Sequence, residues 1–566
     1  MSPTNDAKGS KKRAGRKRLP PLPAGPPLQF VVASHPDQFK ANDTMRNIRS
    51  HVMYKHRGEH RAESPGDLQR GESSRHSMAT TRTPSPTVVS AEEFTEDHHF
   101  LAPPSRHRST IWDKEFYRIM SQSPSLDPIR NLAARIIAVT TAEPARSAPP
   151  SLDQGSEYPF PSGNVLSQES LEDLKHQYLL SSSFCQDPPW MTIVCSTHMS
   201  FLCHVSVACV FQDLTEGFLE DTPLTVYAKT NALRMIKDSL QGFNTSLDDF
   251  TILSILHLLI SEVGSYDEDV FDVHHEGLVH IVHQRGGLSH LGLDGSVATF
   301  LIVLLLTFAV IRSQSEPTML QGFVPSRRQS MMLERPLPVS PLLAPHGDLS
   351  ILYGSCSEGT YQILVDMHEL TRIFILRWNY VSDVFSPQAS LDLASYDAHM
   401  QQIYARMLLL PPINVEIAPD WVYEACRLAA LIYCRSIVQG VPFSESGNVM
   451  HSRGTGTGLS NNTVVSALLT ALDSTDTSGF WGSMSGVFLW VCLLGGAASW
   501  TPSATPYEQG SENDTTAAWV RKSFALYAVK TVLECGFENA GAIVQGQRTM
   551  LQVQSLIDLK RGISSQ

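Results

Sequence analysis

The sequence predicts an all-α protein: one large helical body behind a disordered basic N-terminal arm, with disordered inserts interrupting the body. Three observations lead there. Apolar residues recur at helical spacing through most of the chain after residue 110, strand-like alternation is scarce, and helix start and stop residues bracket several periodic stretches. A length of 566 residues with 42% hydrophobic content leaves room for a sizeable core.

Residues 1–28 are basic and then proline-rich, and Pro20, Pro21, Pro23, Pro26 and Pro27 prevent a continuous helix there. A patterned island follows over residues 30–56. Asn42, Asp43 and Thr44 offer N-caps, and Met45, Ile48 and Val52 recur at helical spacing. This predicts a short helix near 43–57, decorated by Arg46, Arg49, Lys55 and Arg57 and ended by Gly58. Residues 58–108 run through Ser, Arg, Glu, Thr and Pro. Such a stretch buries too little apolar surface to offset its ordering entropy. Together these segments form the arm, 1–110.

The body, 111–566, reads as helix after helix. Asp248 and Asp249 announce a helix over the apolar run 250–260. A mixed helical segment at 275–283 ends at Gly286 and Gly287, and another pattern covers 361–378. Between 421 and 438, Val422, Cys426, Ala429, Ala430 and Tyr433 make the stripe of a packed helix. A last pattern covers 519–535, and polar inserts fall near 313–349, 440–462 and 501–516. The apolar runs 297–311 and 486–499 are shorter than the roughly 20 residues of a membrane span. They read as buried core helices, and no membrane partner is expected.

The net charge of −12 hides an asymmetry. Residues 1–110 hold 18 Lys plus Arg against 11 Asp plus Glu, whereas the remainder holds 26 against 45. An acidic body disfavours broad attraction to nucleic acid, so any polyanion contact belongs to the arm. The nine cysteines, with no apolar signal stretch at the basic N-terminus, fit a reducing intracellular compartment without a disulfide framework.

Lys11, Lys12, Arg13, Arg16, Lys17 and Arg18 put six cations in eight residues. A flexible run of this kind suits the acidic groove of a nuclear-import receptor, or a phosphate backbone. A minor-groove hook would want Arg-Gly-Arg-Pro, and here Gly15-Arg16 is followed by Lys17. Thr83 and Ser85 each precede a proline and are candidates for proline-directed phosphorylation, while Ser330 follows Arg327-Arg328-Gln329 as a basophilic kinase prefers.

Other motifs fail on inspection. After His275-Glu276 the next histidine is His280, five positions on, roughly 140° around a helix rather than on one face as a zinc protease requires. His280 and His283 have no assignable third ligand. No two cysteines have Cys-x-x-Cys spacing, so no metal site is expected, and no cofactor. Gly454-Thr455-Gly456-Thr457-Gly458 lacks the strand and lysine of a phosphate loop, and Met484 stands where a nucleophile elbow needs serine. No acid, base or nucleophile set stands out, so the sequence does not read as an enzyme.

Four segments in order carry a family resemblance. The stretch from His275 through Gly277 to Arg285, Gly286, Gly287 and Leu288 resembles the His-x-Gly-Leu … Arg-Gly-Gly box of the fungal-specific transcription factor domain. Ala425-Cys426-Arg427-Leu428-Ala429-Ala430 is similar to that family's Ala-Cys-Arg-Leu-Ala-Ala helix. Gly486-Val487-Phe488-Leu489-Trp490 and Arg548-Thr549-Met550-Leu551 look like its later boxes. In the arm, residues 30–36 with 48–53 resemble a box of filamentous-fungal members that lack a zinc cluster.

The resemblance implies an all-helical regulatory domain, a nuclear location and a role in transcriptional control. Most members read DNA through an N-terminal six-cysteine zinc cluster, and the first cysteine here is Cys185. The expected function is therefore a nuclear transcriptional regulator acting through protein partners. The alternatives are direct DNA binding by the basic arm, or a small-molecule sensor or enzyme with a pocket among the helices. The boxes read mostly as scaffold. Arg285 is expected to cap the carbonyls of the helix before it, Gly286 and Gly287 to take positive φ, and Arg427, if buried, to need a carboxylate or carbonyl partner. Oligomeric state is not legible.

Overall fold

A computed structural model describes residues 128–141, 170–181, 187–242, 247–265, 268–325, 336–381, 387–413, 419–451, 463–500 and 512–564. The arm, with its cation run, its 43–57 helix and Thr83 and Ser85, lies outside them, as does Ser330. The described residues form helices and short 3-10 turns without a strand.

In chain order the helices are α1 (Pro128–Thr141), α2 (Leu171–Ser181), α3 (Pro188–Val194), α4 (His198–Thr215), α5 (Pro223–Gln241), α6 (Asp249–Glu262), α7 (Glu268–Gln284) and α8 (Ser296–Ile311). There follow α9 (Glu358–Val381), α10 (Pro387–Leu409), α11 (Trp421–Gln439), α12 (Phe443–Gly447), α13 (Val464–Asp473), α14 (Ser485–Ser499) and α15 (Glu512–Ser564). Side chains set many of the starts. Asp187, Thr197, Asp420 and Thr463 each accept a hydrogen bond from a backbone N–H in the first turn of α3, α4, α11 and α13.

Helices α4 to α7 pack on one another with α1 on α4, and α9, α10, α11 and α13 make a second group. Helices α8, α14 and α15 pack together between these sets of contacts. Every residue of α8 and of α14 is buried. A helix apolar all round must be enclosed, by protein or by lipid. The segment 482–499 has the length and hydropathy of a membrane span, but 89% of it is buried inside the protein, as a core helix requires.

Close approach in this centre depends on glycine. A Cβ at Gly495 would sit 2.4 Å from the Phe524 ring of α15, and one at Gly496 would sit 2.7 Å from Ile311 of α8. Helix α15 bends at Asn539, where φ is −114° and ψ 26°. Its two arms therefore follow different neighbours. Lys522 reaches the Leu219 carbonyl, whereas Lys560 donates to the Ile437 and Val438 carbonyls at the end of α11.

The inserts differ from the expectation in part. Within 313–349, Val339, Ser340, Leu342, Leu343 and Leu349 are buried, because this stretch is richer in Leu and Val than its prolines suggest. Phe443, Ser446 and Gly447 are likewise buried in α12, and residues 512–516 already belong to α15.

Candidate functional site

The resembling boxes carry specific side-chain geometry. Helix α7 ends in a Schellman turn: Gly287 N–H reaches the Val282 carbonyl at 2.9 Å and Gly286 N–H the His283 carbonyl at 3.0 Å. Both glycines take positive φ, 94° and 92°. The cap is thus made by backbone, which corrects the expectation for Arg285. Its guanidinium instead donates to the Leu247 carbonyl and pairs with Asp249 at 3.0 Å, locking the end of α7 to the start of α6. Asp249 also accepts from the Gly292 amide at 3.2 Å, while Asp248 makes no side-chain cap bond.

Around this turn, Gly277 is buried and His275 stacks on Phe271 at 6.1 Å. Burial lowers the His275 pKa, and the nearby Arg312 cation lowers it further. His280 is bonded to Gln284 at 2.9 Å. Among the described residues, no three His, Cys, Asp or Glu side chains gather as metal ligands would.

Arg427 finds the partner its burial demands one turn back. Its Nε and Nη2 donate to the two oxygens of Glu424, each at 2.8 Å, with both side chains nearly enclosed. Glu424 also accepts from the Ile413 amide at 3.1 Å, so the pair fixes the chain leading into α11. Cys426 beside it is fully buried, and that burial holds its thiol well above the usual range. Burial likewise pushes the Cys203 and Cys209 thiols up to about 12. Thiols so placed are poor nucleophiles.

Trp490 is enclosed in α14, edge-on to Tyr433 at 5.9 Å. Arg548 in α15 pairs with Glu316 at 2.9 Å and donates to the Leu320 carbonyl at 2.8 Å. Its neighbour Gln547 sends Nε2 to the Val303 carbonyl at 2.9 Å and the Thr307 hydroxyl at 2.8 Å, crossing the core to α8. One helical repeat later, Gln554 reaches the Val310 carbonyl at 2.9 Å.

Three polar centres escaped the sequence reading. Asp213 is buried and accepts from Arg130 at 2.7 Å, the Thr225 hydroxyl at 2.6 Å and the Thr222 amide at 2.9 Å. Lys229 and Lys522 flank Asp221 at 2.6 and 3.8 Å, and Glu262 lies 3.6 Å from Lys229. His204 Nδ1 and His257 Nε2 meet at 3.2 Å in the core of α4 and α6. Only pairing in space defines these centres. The one signal in the sequence was a polar residue inside an apolar helix, at His204 and His257.

The arrangement supplies rigid positioning. Arg285, Arg427 and Arg548 are paired with carboxylates, and burial raises the pKa of the Cys203, Cys209 and Cys426 thiols. A family model described as the fungal specific transcription factor domain matches residues 181–525, more than half of the chain. No curated protein and no solved structure matches it. The matched domain supports a role in transcription regulation rather than catalysis, and it implies work in the nucleus. The chain belongs to the fungal specific transcription factor domain family.

Proposed function

We propose that this protein is a nuclear regulator of transcription whose helical body acts through protein partners, with the cations Lys11, Lys12, Arg13, Arg16, Lys17 and Arg18 serving nuclear import. The family match over residues 181–525 carries the reading. Charge supports the choice of partner. Residues 111–566 hold 45 acidic against 26 basic side chains. Arg130, Arg285, Arg312, Arg427, Arg521 and Arg548 are each paired to a carboxylate. These six cations of the described residues are already neutralised within the body, and phosphate neutralisation supplies most non-specific DNA affinity.

The second reading is direct DNA binding by the arm, favoured by its cation run and by Arg46, Arg49, Lys55 and Arg57 on the expected short helix. The two separate cleanly. The full chain and a variant with these ten cations changed to alanine are used as bait in nuclear extract. Capture of the same protein partners by both supports the first reading. Affinity for promoter DNA that falls steeply with salt and disappears in the variant supports the second.

A further inference from the structure

Helices α9, α10 and α11 pack together, and α9 and α11 begin near where α10 finishes. Arg406 holds the end of α10 to α9 through Asp366, at 2.6 Å. The Tyr423 hydroxyl of α11 donates to the Pro411 carbonyl, just past α10, at 3.0 Å. Gly359 lets the first turn of α9 lie on the Tyr423 ring, since a Cβ there would come within 3.2 Å of it. Tyr353 stands edge-on to Tyr361 of α9, with ring centres 5.4 Å apart.

This end of the helices carries large apolar groups in solvent. Ile351, Tyr353, Leu408 and Leu409 are 61%, 68%, 59% and 84% exposed, and Tyr361, Trp421 and Tyr423 are half-buried. Apolar side chains scattered singly need no partner, whereas a gathered set of this kind marks a docking surface.

The charge here is one-sided. Residues 343–371 and 407–426 contain seven carboxylates and no lysine or arginine. Asp366, Glu369 and Glu424 are neutralised by Arg406, Arg372 and Arg427. Glu358 and Asp420 are exposed, and neither forms an ion pair among the described residues. Burial first, and then Asp420 and Glu358, raises the Cys356 pKa, so both carboxylates lie near that thiol. A second copy docked by the same face would set these carboxylates against their equals, which is repulsive. A cationic partner meets them with the opposite sign.

Resting on the reading that the body works through proteins, we infer that this surface binds a proline-rich segment of a partner, extended as a polyproline helix and carrying an arginine or lysine. Its proline rings lie on the faces of Tyr353 and Tyr361, as such segments do on aromatic surfaces. A polyproline helix has no internal hydrogen bonds, so its carbonyls are open to a tyrosine hydroxyl. Its cation meets Glu358 and Asp420.

The test uses the full chain and the peptide Arg-Ala-Leu-Pro-Pro-Leu-Pro with a C-terminal dye, followed by fluorescence polarisation. The peptide should bind saturably, and alanine in place of its prolines should abolish binding. Tyr353→Ser should weaken it at least about tenfold, as loss of an aromatic anchor does. Tyr353 is mostly exposed, so the fold survives the change, and an unmoved melting temperature checks this. Glu358→Lys should weaken the peptide by about fivefold. A peptide with glutamate in place of arginine should bind that variant better than the arginine peptide does, which a damaged fold cannot mimic. No polarisation change up to millimolar peptide overturns the inference, as does equal binding of the alanine peptide or equal binding by Tyr353→Ser. Self-association of the chain that Tyr353→Ser abolishes also overturns it, and gives the face to a second copy. Partner capture in nuclear extract decides the wider reading separately, so the two failures are distinguishable.

Discussion

Arg427 and Glu424 face each other one turn apart on α11, joined by two 2.8 Å hydrogen bonds and nearly sealed from solvent. The pair turns a residue that looks out of place in an apolar helix into the anchor for the approach to α11. Arg427→Met strips the partner from a buried carboxylate, which costs about 3–5 kcal/mol. Glu424→Leu combined with Arg427→Met removes both charges together, and most of that loss should be recovered. Chemical denaturation of the wild type, the single variant and the double variant checks this. A double variant as unstable as the single one would show that the site depends on the ions for more than mutual neutralisation.

The turn after α7 makes a different demand. Gly286 holds φ at 94°, where a side chain is strained. Gly286→Ala should lower stability by about 1–2 kcal/mol. Arg285→Ala should do so by a similar amount, through the lost contacts to Leu247 and Asp249. Thermal melting of both variants reads the effect. No change in either would mean that α6 and α7 are held together elsewhere.

Much of this was legible in the sequence. The helices at 250–260, 275–283, 361–378 and 421–438 lie within α6, α7, α9 and α11, because periodicity and end signals are local properties. The glycines of the α7 cap were legible for the same reason. The role of Arg285 was not, because its partners lie about 36–38 residues upstream and only packing brings them near. Asp213 and the His204–His257 pair escaped for that reason too, since Arg130 lies 83 residues from Asp213 and the two histidines are 53 apart. The burial of residues 336–343 was missed because three prolines make the stretch look like an insert, whereas Val339, Leu342 and Leu343 are buried.

The buried histidine pair predicts a pH dependence. His257 Nδ1 donates to the Leu253 carbonyl at 2.9 Å, so in the neutral ring its Nε2 accepts from His204 Nδ1. Burial depresses the His257 pKa from 6.5 to about 4. Between pH 6.5 and about 4 the unfolded chain therefore binds a proton that the folded chain does not. Its contribution to stability is fully present above 6.5 and is lost as pH falls through that window, on the order of 3 kcal/mol in all. His274 and His275, also lowered by burial, act in the same direction. Denaturation midpoints followed across this range should fall with acid, and less steeply for His257→Gln. Equal slopes for the two proteins would remove His257 from the account.

The core predicts intolerance of bulk between α14 and α15. Gly495→Val pushes methyl groups into the ring of Phe524, 2.4 Å from where its Cβ would sit. Overpacking of this kind costs about 1–3 kcal/mol. The companion change Phe524→Leu makes room and should restore part of the loss. Melting temperatures of the single and double variants decide the matter, and strict additivity would contradict the contact.

The central claim is that the helical body brings this regulator to chromatin through other proteins. Chromatin immunoprecipitation tests it most directly. It compares the wild type with a full-length variant in which Lys11, Lys12, Arg13, Arg16, Lys17, Arg18, Arg46, Arg49, Lys55 and Arg57 are changed to alanine. Both carry the same foreign nuclear-import signal. The account predicts that both are enriched at the same promoters to a similar degree. Enrichment that vanishes with the cations, while the variant still accumulates in the nucleus, would contradict it and give the contact with DNA to the arm.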